Sequence, residues 1–406
     1  MRVCVIGAGA AGLCAARHVS VLKTLEKLVV YERSNAVGGT WIYTDSTGED
    51  EDGLPVHSSM YRNLKTNLPK EVMGFPDFPF PSAGDSFIHH SNVLEYLRNY
   101  AAQFELTKFI EFRHDVKSVQ KRLDSAGKSC WRISHKDLSN NAHASDEFDC
   151  VFICNGHYFK PRFPKLENQE LFRGEILHSH DYRAPEKYQG ETVACLGARS
   201  SGIDIAVELS NTCKQAENIP TLVIKDGQQL QVDTLLLCTG YCYSFPFLEG
   251  DQLPLCVDSN LRITPLYQHL IHIVEPTLFF PGLCGMICPF PQFHVQVQYC
   301  VALMKEGWQQ LPSQGQLYAW QEADYQHRMM QLQLRSTQAH HLGSRQWDYN
   351  RNLCRLGGFP CPISPVIEKL YFEVSKHRSR NAVTYKSLNY ELLNEEEFRC
   401  LSNVIS

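Results

Sequence analysis

The chain has 406 residues, 43% of them hydrophobic, enough to bury the cores of two ordinary domains. Its formal net charge is −5 with no block of like charge, so electrostatics gives no reason to expect nucleic acid or an anionic membrane surface as a partner. The 16 cysteines include no CxxC pair, which removes the usual spacing of zinc ribbons and thioredoxin-type redox centres and leaves no metal site predicted.

In chain order, Arg2–Ile6 is a short apolar run, β-branched at Val3, Val5 and Ile6. Gly7-Ala8-Gly9-Ala10-Ala11-Gly12 follows, then a helical run with Leu13, Ala16 and Val19 on one side. Leu28–Tyr31, closed by Glu32, is the next strand. Strand, glycine turn, helix and strand in that order open a doubly wound parallel sheet. Met1–Ser20 is apolar enough for a secretory leader, but its glycine spacing makes it structure. No later stretch reaches about 18 uninterrupted apolar residues, so no transmembrane span is expected.

Thr44–Gly53 and Pro76–Gly84 read as surface loops, and Val93–Glu105 as an amphipathic helix capped by Ser91 or Asn92. Asp115–Gln120, Trp131–His135 and Phe148–Cys154 read as strands, with a polar turn at Leu138–Ala144. Thr192–Leu196, Gly197-Ala198-Arg199-Ser200-Ser201-Gly202 and Ile203–Leu209 repeat the strand–turn–helix unit. Thr221–Asp226 then reads as an edge hairpin and Thr234–Cys238 as the last strand of that unit. Cys4, Cys150, Cys154, Cys195 and Cys238 fall inside strands, as small buried residues of a reducing compartment do. Trp308–Gln346, rich in Gln, His and Met, reads as a helical appendage over the core. Asn389–Ser406 is acidic and polar, unlike a membrane tail.

Each part of the first glycine turn has a physical task. Gly7 permits the tight turn, Gly9 lets backbone approach a pyrophosphate, and Gly12 lets helix pack on strand. The N–H groups of Ala10, Ala11 and Gly12 face the phosphates with the positive end of the helix dipole. Glu32, about 20 residues beyond Gly12, can accept from ribose hydroxyls. A carboxylate there suits FAD or NAD and repels the 2′-phosphate of NADP.

Further motifs follow: Val37-Gly38-Gly39-Thr40-Trp41, Tyr61 to Lys70 (YRNLKTNLPK), Phe75-Pro76-Asp77-Phe78-Pro79 and Cys154-Asn155-Gly156-His157-Tyr158. Later come Phe172-x-Gly174-x-x-x-His178-Ser179-x-x-Tyr182, Cys238-Thr239-Gly240-Tyr241 with Ser244-Phe245-Pro246-Phe247, and Pro289-Phe290-Pro291. In this order and spacing the chain resembles the flavin-containing monooxygenases, near their senecionine N-oxygenase-type members, from Met1 to about Gly307. The Phe172–Tyr182 pattern is the most specific element. A Baeyer–Villiger relative would show Trp-Pro at Tyr182-Arg183.

The resemblance implies an α/β flavoprotein with two dinucleotide-binding domains: a Rossmann-like FAD domain (1–155 and 241–406) and an inserted, shortened NADPH domain (156–240). It implies that NADPH reduces FAD, that reduced flavin takes up O₂ as a C4a-hydroperoxide, and that this peroxide oxygenates a soft nucleophile, an amine nitrogen or a thioether sulfur. Gly7, Gly9, Ala10, Ala11, Gly12, Glu32, Gly39, Thr40, Trp41, Thr66 and Gln296 would hold FAD. Gly197, Ser200, Ser201, Gly202 and Asp204 would hold NADPH. Asn67 on its own pattern is either a turn residue before Leu-Pro or an amide that donates and accepts at once; the resemblance makes it catalytic and cofactor-binding. His157 and His178 have no triad partners and read as structural, shaping the interdomain cleft. The expected partners are a small-molecule nucleophile and O₂, no nucleic acid, with homo-oligomers compatible. The expected location is cytoplasmic, with peripheral attachment to the endoplasmic reticulum compatible.

Two departures stand out. Arg199 occupies the middle-glycine position of the second turn, where a side chain obstructs a pyrophosphate. The stretch after Ser210 is so short that the NADPH domain is expected to lack its second strand and the basic residues that read the 2′-phosphate. The competing reading is therefore an FAD-binding homologue with weak or no NADPH-dependent activity. A disulfide reductase would need a redox cysteine pair near the flavin.

Overall fold

Val3, Cys4 and Val5 are wholly buried because β1 (Arg2–Ile6) runs through the middle of a seven-stranded sheet with both faces covered. The computed structural model describes residues 1–167, 169–197, 199–213, 215–219, 232–248, 253–259 and 261–401. In this sheet β1 pairs in parallel with β2 (Lys27–Glu32) and with Cys150–Ile153. Ile110–Phe112 extends the sheet beyond β2, and three two-residue strands between Leu266 and Phe279 complete the other side. α1 (Ala10–Val19) returns over the sheet and buries Leu13, Cys14, Ala15, Ala16 and Val19. Its small residues let it lie close to the strands.

A second, four-stranded sheet is parallel throughout, in the order Gln215–Ile219, Thr192–Leu196, Thr234–Leu237, Glu175–His178. Helix Ser200–Leu209 buries Gly202, Ile205 and Leu209. The expectation of a missing second strand is corrected here: Gln215–Ile219 pairs along all of Thr192–Leu196. Its QAENI sequence lacks the apolar run that marks the other parallel strands. The unit is short in connections, not in strands. The Thr221–Asp226 hairpin lies outside the described residues.

Other boundaries also shift. Strand His143–Phe148 occupies part of the expected Leu138–Ala144 turn and completes an antiparallel meander with His114–Leu123 and Ser129–Asp137. The helix expected at Val93 begins at His90, and its cap is neither Ser91 nor Asn92 but His89, whose ring Nδ1 accepts from the Ser91 N–H at 3.3 Å. The helical appendage extends beyond Gln346, with helices Gln314–Gln326, Gln346–Gly357 and Pro365–Arg380. The hairpin Asn389–Leu392/Phe398–Leu401 follows. Among the described residues no helix is long and apolar enough to cross a membrane.

His178 sits fully buried at the end of its strand. Its Nε2–H donates to the Gly240 carbonyl at 3.0 Å, and its Nδ1 accepts from the His180 N–H at 3.1 Å. Only the neutral ring satisfies both bonds. Burial lowers its pKa from 6.5 to about 4. The unfolded chain therefore takes up this proton first as pH falls, and the stability from neutral His178 is complete above about pH 6.5 and lost toward about pH 4. Melting temperatures measured from pH 7.5 to 5 should fall over that window, and His178→Gln, which keeps a donor for Gly240, should reduce the slope.

Candidate functional site

The two glycine turns have the same construction. Gly7 has φ +103°, and a Cβ on it would lie 2.5 Å from the Cys154 carbonyl oxygen. Gly197 has φ +126°, and a Cβ on it would lie 2.3 Å from the Cys238 carbonyl oxygen. In each unit that cysteine ends the neighbouring parallel strand: Cys154 N–H donates to the Ile6 carbonyl at 2.9 Å and Cys238 N–H to the Leu196 carbonyl at 2.8 Å. The helix caps match as well, Gly9 at φ −75°, ψ −174° and Arg199 at φ −91°, ψ −173°.

At the first turn, Leu13 N–H makes the first helical bond, to the Gly9 carbonyl at 2.9 Å. The N–H groups of Ala10, Ala11 and Gly12 precede it, with no side-chain cap and no acidic residue in the first turn. Glu32 is buried, and its two oxygens accept from the N–H groups of Ala8 at 2.6 Å and Ser34 at 2.9 Å. A carboxylate held this way keeps lone pairs for hydroxyl donors. Gly39, with φ +55°, lies so close that a Cβ on it would meet the Gly9 Cα at 3.0 Å. Beside it the Thr40 hydroxyl is buried without a partner among the described residues, while the Thr40 carbonyl accepts from Ser58 at 2.8 Å. Free helix N–H groups, a fixed carboxylate and an orphaned hydroxyl around a glycine-lined cradle fit a flavin dinucleotide. Trp41 closes the same turn, half-buried.

The segment from Tyr61 to Asn67 is clamped to helix Ser200–Leu209 of the second unit. Tyr61 OH donates to Asp204 at 2.7 Å and the Asn63 amide to Glu208 at 2.8 Å. Lys386, from the C-terminal region, donates to both Asp204 oxygens (2.6 and 2.7 Å) and to the Lys65 carbonyl (3.0 Å). Burial lowers the Lys386 pKa and raises that of Glu208. The Asn67 carbonyl oxygen accepts from Tyr385 OH at 3.2 Å, and its amide N–H₂ has no partner among the described residues. Thr66 is buried and its hydroxyl accepts from the Ile88 N–H at 3.2 Å.

Asp204, Thr66 and Gln296, among the anticipated site residues, serve contacts within the protein. Asp204 is the anchor of that clamp. Thr66 fixes the strand-like segment beside Ile88. Gln296 is fully buried, accepting from the Gly282 N–H at 2.9 Å and donating to Tyr349 OH at 2.9 Å, so it sets the Gly282 turn. Ser201 and Gly202 lie in the first turn of their helix, and Ser200 Oγ accepts from Arg378 at 3.1 Å. Arg199 does not fold back over its turn: its guanidinium reaches His341 at 3.5 Å. Sequence reasoning missed Arg378, Tyr385 and Lys386. They lie beyond Gly307, where the motifs end, and nothing in their local pattern marks them.

The Flavin-binding monooxygenase-like family profile matches residues 1–221. The flavin-containing monooxygenase FMO GS-OX-like 7 of Arabidopsis thaliana is 33% identical, over 95% of this chain and 90% of its own. Senecionine N-oxygenase of Tyria jacobaeae is 27% identical over 98% and 91%. The solved structure of S-allyl-L-cysteine S-oxygenase from Allium sativum superposes with a TM-score of 0.84 at 30% identity, covering 95% of this chain and 94% of that one.

The glycine geometry separates ligand contact from folding. A Cβ on Gly9 meets Gly39 Cα at an ordinary 3.5 Å, whereas one on Gly12 would lie 1.8 Å from the Gly7 carbonyl oxygen. Gly9→Val should give folded, colourless protein, because the branched side chain fills the approach to the helix end. Gly12→Ala should lower the yield of folded protein itself. Visible absorbance after FAD addition and thermal melts distinguish the two, and a Gly9→Val protein with wild-type flavin content would contradict this assignment.

Proposed function

The chain belongs to the flavin-binding monooxygenase family, and from that premise we propose that it uses NADPH and O₂ to oxygenate a small soft nucleophile, an amine nitrogen or a thioether sulfur. The observation that carries the proposal is the placement of Asn67. It lies on the segment that joins the two glycine-turn units, with its carbonyl oxygen fixed by Tyr385 and its amide donors free.

Bound at the first turn, FAD supplies the oxygen-transfer chemistry. The first-turn N–H groups at Ala10, Ala11 and Gly12 hold its pyrophosphate, Glu32 its ribose, and Gly39, Thr40 and Trp41 the sugar chain toward the ring. The nicotinamide cofactor takes the second turn, on Ser200, Ser201 and Gly202. Gly197 shapes that turn without side-chain contact. Tyr385 orients Asn67 so that its N–H₂ faces the space between the units. There it would donate to bound cofactor and to a nicotinamide ribose. Gln296 fixes the Gly282 turn. The surrounding apolar packing excludes water.

The purified protein should consume NADPH steadily when given a tertiary amine or a thioether. Asn67→Leu should retain FAD and NADPH oxidation, lose oxygenated product, and release hydrogen peroxide in its place. Product formation at the wild-type rate would reduce Asn67 to a turn residue. FAD bound with no turnover in the wild type would favour the non-catalytic homologue.

The intact second sheet and the cations near Ser200 change the expectation for NADPH. Arg378 reaches the first turn of that helix and Arg199 starts it, its guanidinium extended toward His341, and a charge-assisted hydrogen bond contributes about 1.5–3 kcal/mol, about tenfold or more in affinity. Arg378→Ala should raise the dissociation constants of NADPH and NADH together, because it serves the helix end that both share. Arg199→Gly should raise only that of NADPH if Arg199 faces the 2′-phosphate. Fluorescence titrations of the flavin-loaded protein with both cofactors give all four values. Unchanged NADPH affinity in both variants would remove these arginines from the site.

A further inference from the structure

We propose that Cys14, His18 and His294, with Asp77 against His294, form a zinc-binding clip on the flank of the dinucleotide-binding helix away from its phosphate-binding end. The proposal does not depend on the monooxygenase reading. Chain spacing gave no sign of it, because two of the four groups come from remote segments that the fold brings beside α1.

Cys14 and His18 are four residues apart on α1, so both lie on one face of that helix. His294 comes from helix Pro289–Lys305, which packs across that face. The ligand atoms of Cys14, His18 and His294 all lie within 4.8 Å of one another. His18 Nε2 is 3.2 Å from His294 Nδ1, and the same His294 Nδ1 is 3.3 Å from Asp77 Oδ1. The His18–His294 separation is the edge expected for a tetrahedral centre, in which zinc–nitrogen bonds of ~2.0–2.1 Å put neighbouring ligands about 3.3 Å apart, while Asp77 stands outside the set within 4.8 Å and faces His294 from its flank.

Hydrogen bonding alone accounts poorly for this convergence. One N–H on His294 Nδ1 can be shared between the His18 ring nitrogen and the Asp77 carboxylate, but it leaves the Cys14 sulfur beside them unengaged. A cation satisfies all of them. The charge also balances, since a thiolate and a carboxylate offset a divalent ion. Asp77 turns its other oxygen toward Arg17, at 3.7 Å, and that guanidinium lies 4.1 Å over the Phe104 ring. The Tyr100 hydroxyl beside Cys14 is buried with no partner among the described residues, placed to donate to a thiolate. His18 is half-buried and provides the way in. One sulfur and two imidazoles, with water in the fourth position, are a set that zinc takes in tetrahedral geometry. Binding removes the Cys14 thiol proton to solvent as the sulfur–zinc bond forms.

The test uses the full chain loaded with FAD. It is equilibrated with zinc, dialysed against metal-free buffer and assayed for metal by plasma emission. Wild type should retain about one zinc per chain. Cobalt in place of zinc should give a thiolate charge-transfer band and ligand-field bands to the red of the flavin. His18→Gln, at a half-buried position, should keep its FAD and weaken zinc by about 100-fold or more in chelator competition. Cys14→Ser should abolish the thiolate band, and Cys400→Ser, an exposed cysteine, should change nothing. Should Cys14→Ser fail to fold, His18→Gln carries the test. No zinc retained by the wild type overturns the proposal, and so does equal retention by wild type and His18→Gln.

Discussion

The Cys154 and Cys238 carbonyls occupy the positions where a side chain would begin on Gly7 and on Gly197. This backbone-on-backbone contact sets how far each helix can approach its sheet, and the rest of each unit is arranged around it. The carbonyl belongs to the end of the parallel strand beside the turn. The strand must therefore stop there, and Gly156 and Gly240, with φ +72° and +84°, turn the chain away. The helix then begins with its free N–H groups at the carboxyl edge of the sheet, the usual place for a ligand in open α/β folds. The same fit is made twice, from unrelated side chains, in two sheets of different size.

What holds the units together is mostly charged and hydroxylic. Within the second unit, Tyr182 OH donates to Glu208 at 2.7 Å. Arg183, the residue after the most specific motif, is buried, and its guanidinium donates to the carbonyls of Ser46, His180, Tyr182 and Ser58. It thus fastens the second unit to loops of the first. Asp204 and Glu208, one helical turn apart, receive Tyr61, Lys386, Asn63 and Tyr182. Removing one member of such a half-buried group strands a charge, so these positions tolerate little change.

The sequence was legible wherever function and folding need the same residue. Glycine turns, apolar parallel strands and the Glu32 carboxylate announce themselves because sterics or charge leave few alternatives. Gln215–Ile219 did not, since a strand held by backbone pairing to one neighbour needs no apolar run. Tyr385, Lys386 and Arg378 stayed hidden for another reason. They act on Asn67, Asp204 and Ser200 across about 180 to 320 residues of chain, and no local periodicity records a contact of that kind. Gln296 shows the converse. The motifs pointed to it as a cofactor residue, but its hydrogen bonds, to Gly282 and Tyr349, point into the protein.

The two turns differ most at one residue with the same backbone. Gly9 and Arg199 share an extended cap conformation with negative φ, so neither position requires glycine for its dihedral angles. The requirement at Gly9 comes from what faces it: the Gly39 backbone closes over the turn and leaves room for a ligand only if no side chain is present. Arg199 has no such lid and extends toward His341. The first turn therefore selects its ligand by shape, in a cradle that backbone atoms define on both sides. At the second turn the Arg378 guanidinium stands against Ser200 at the helix end, so a charge rather than a backbone lid marks that turn.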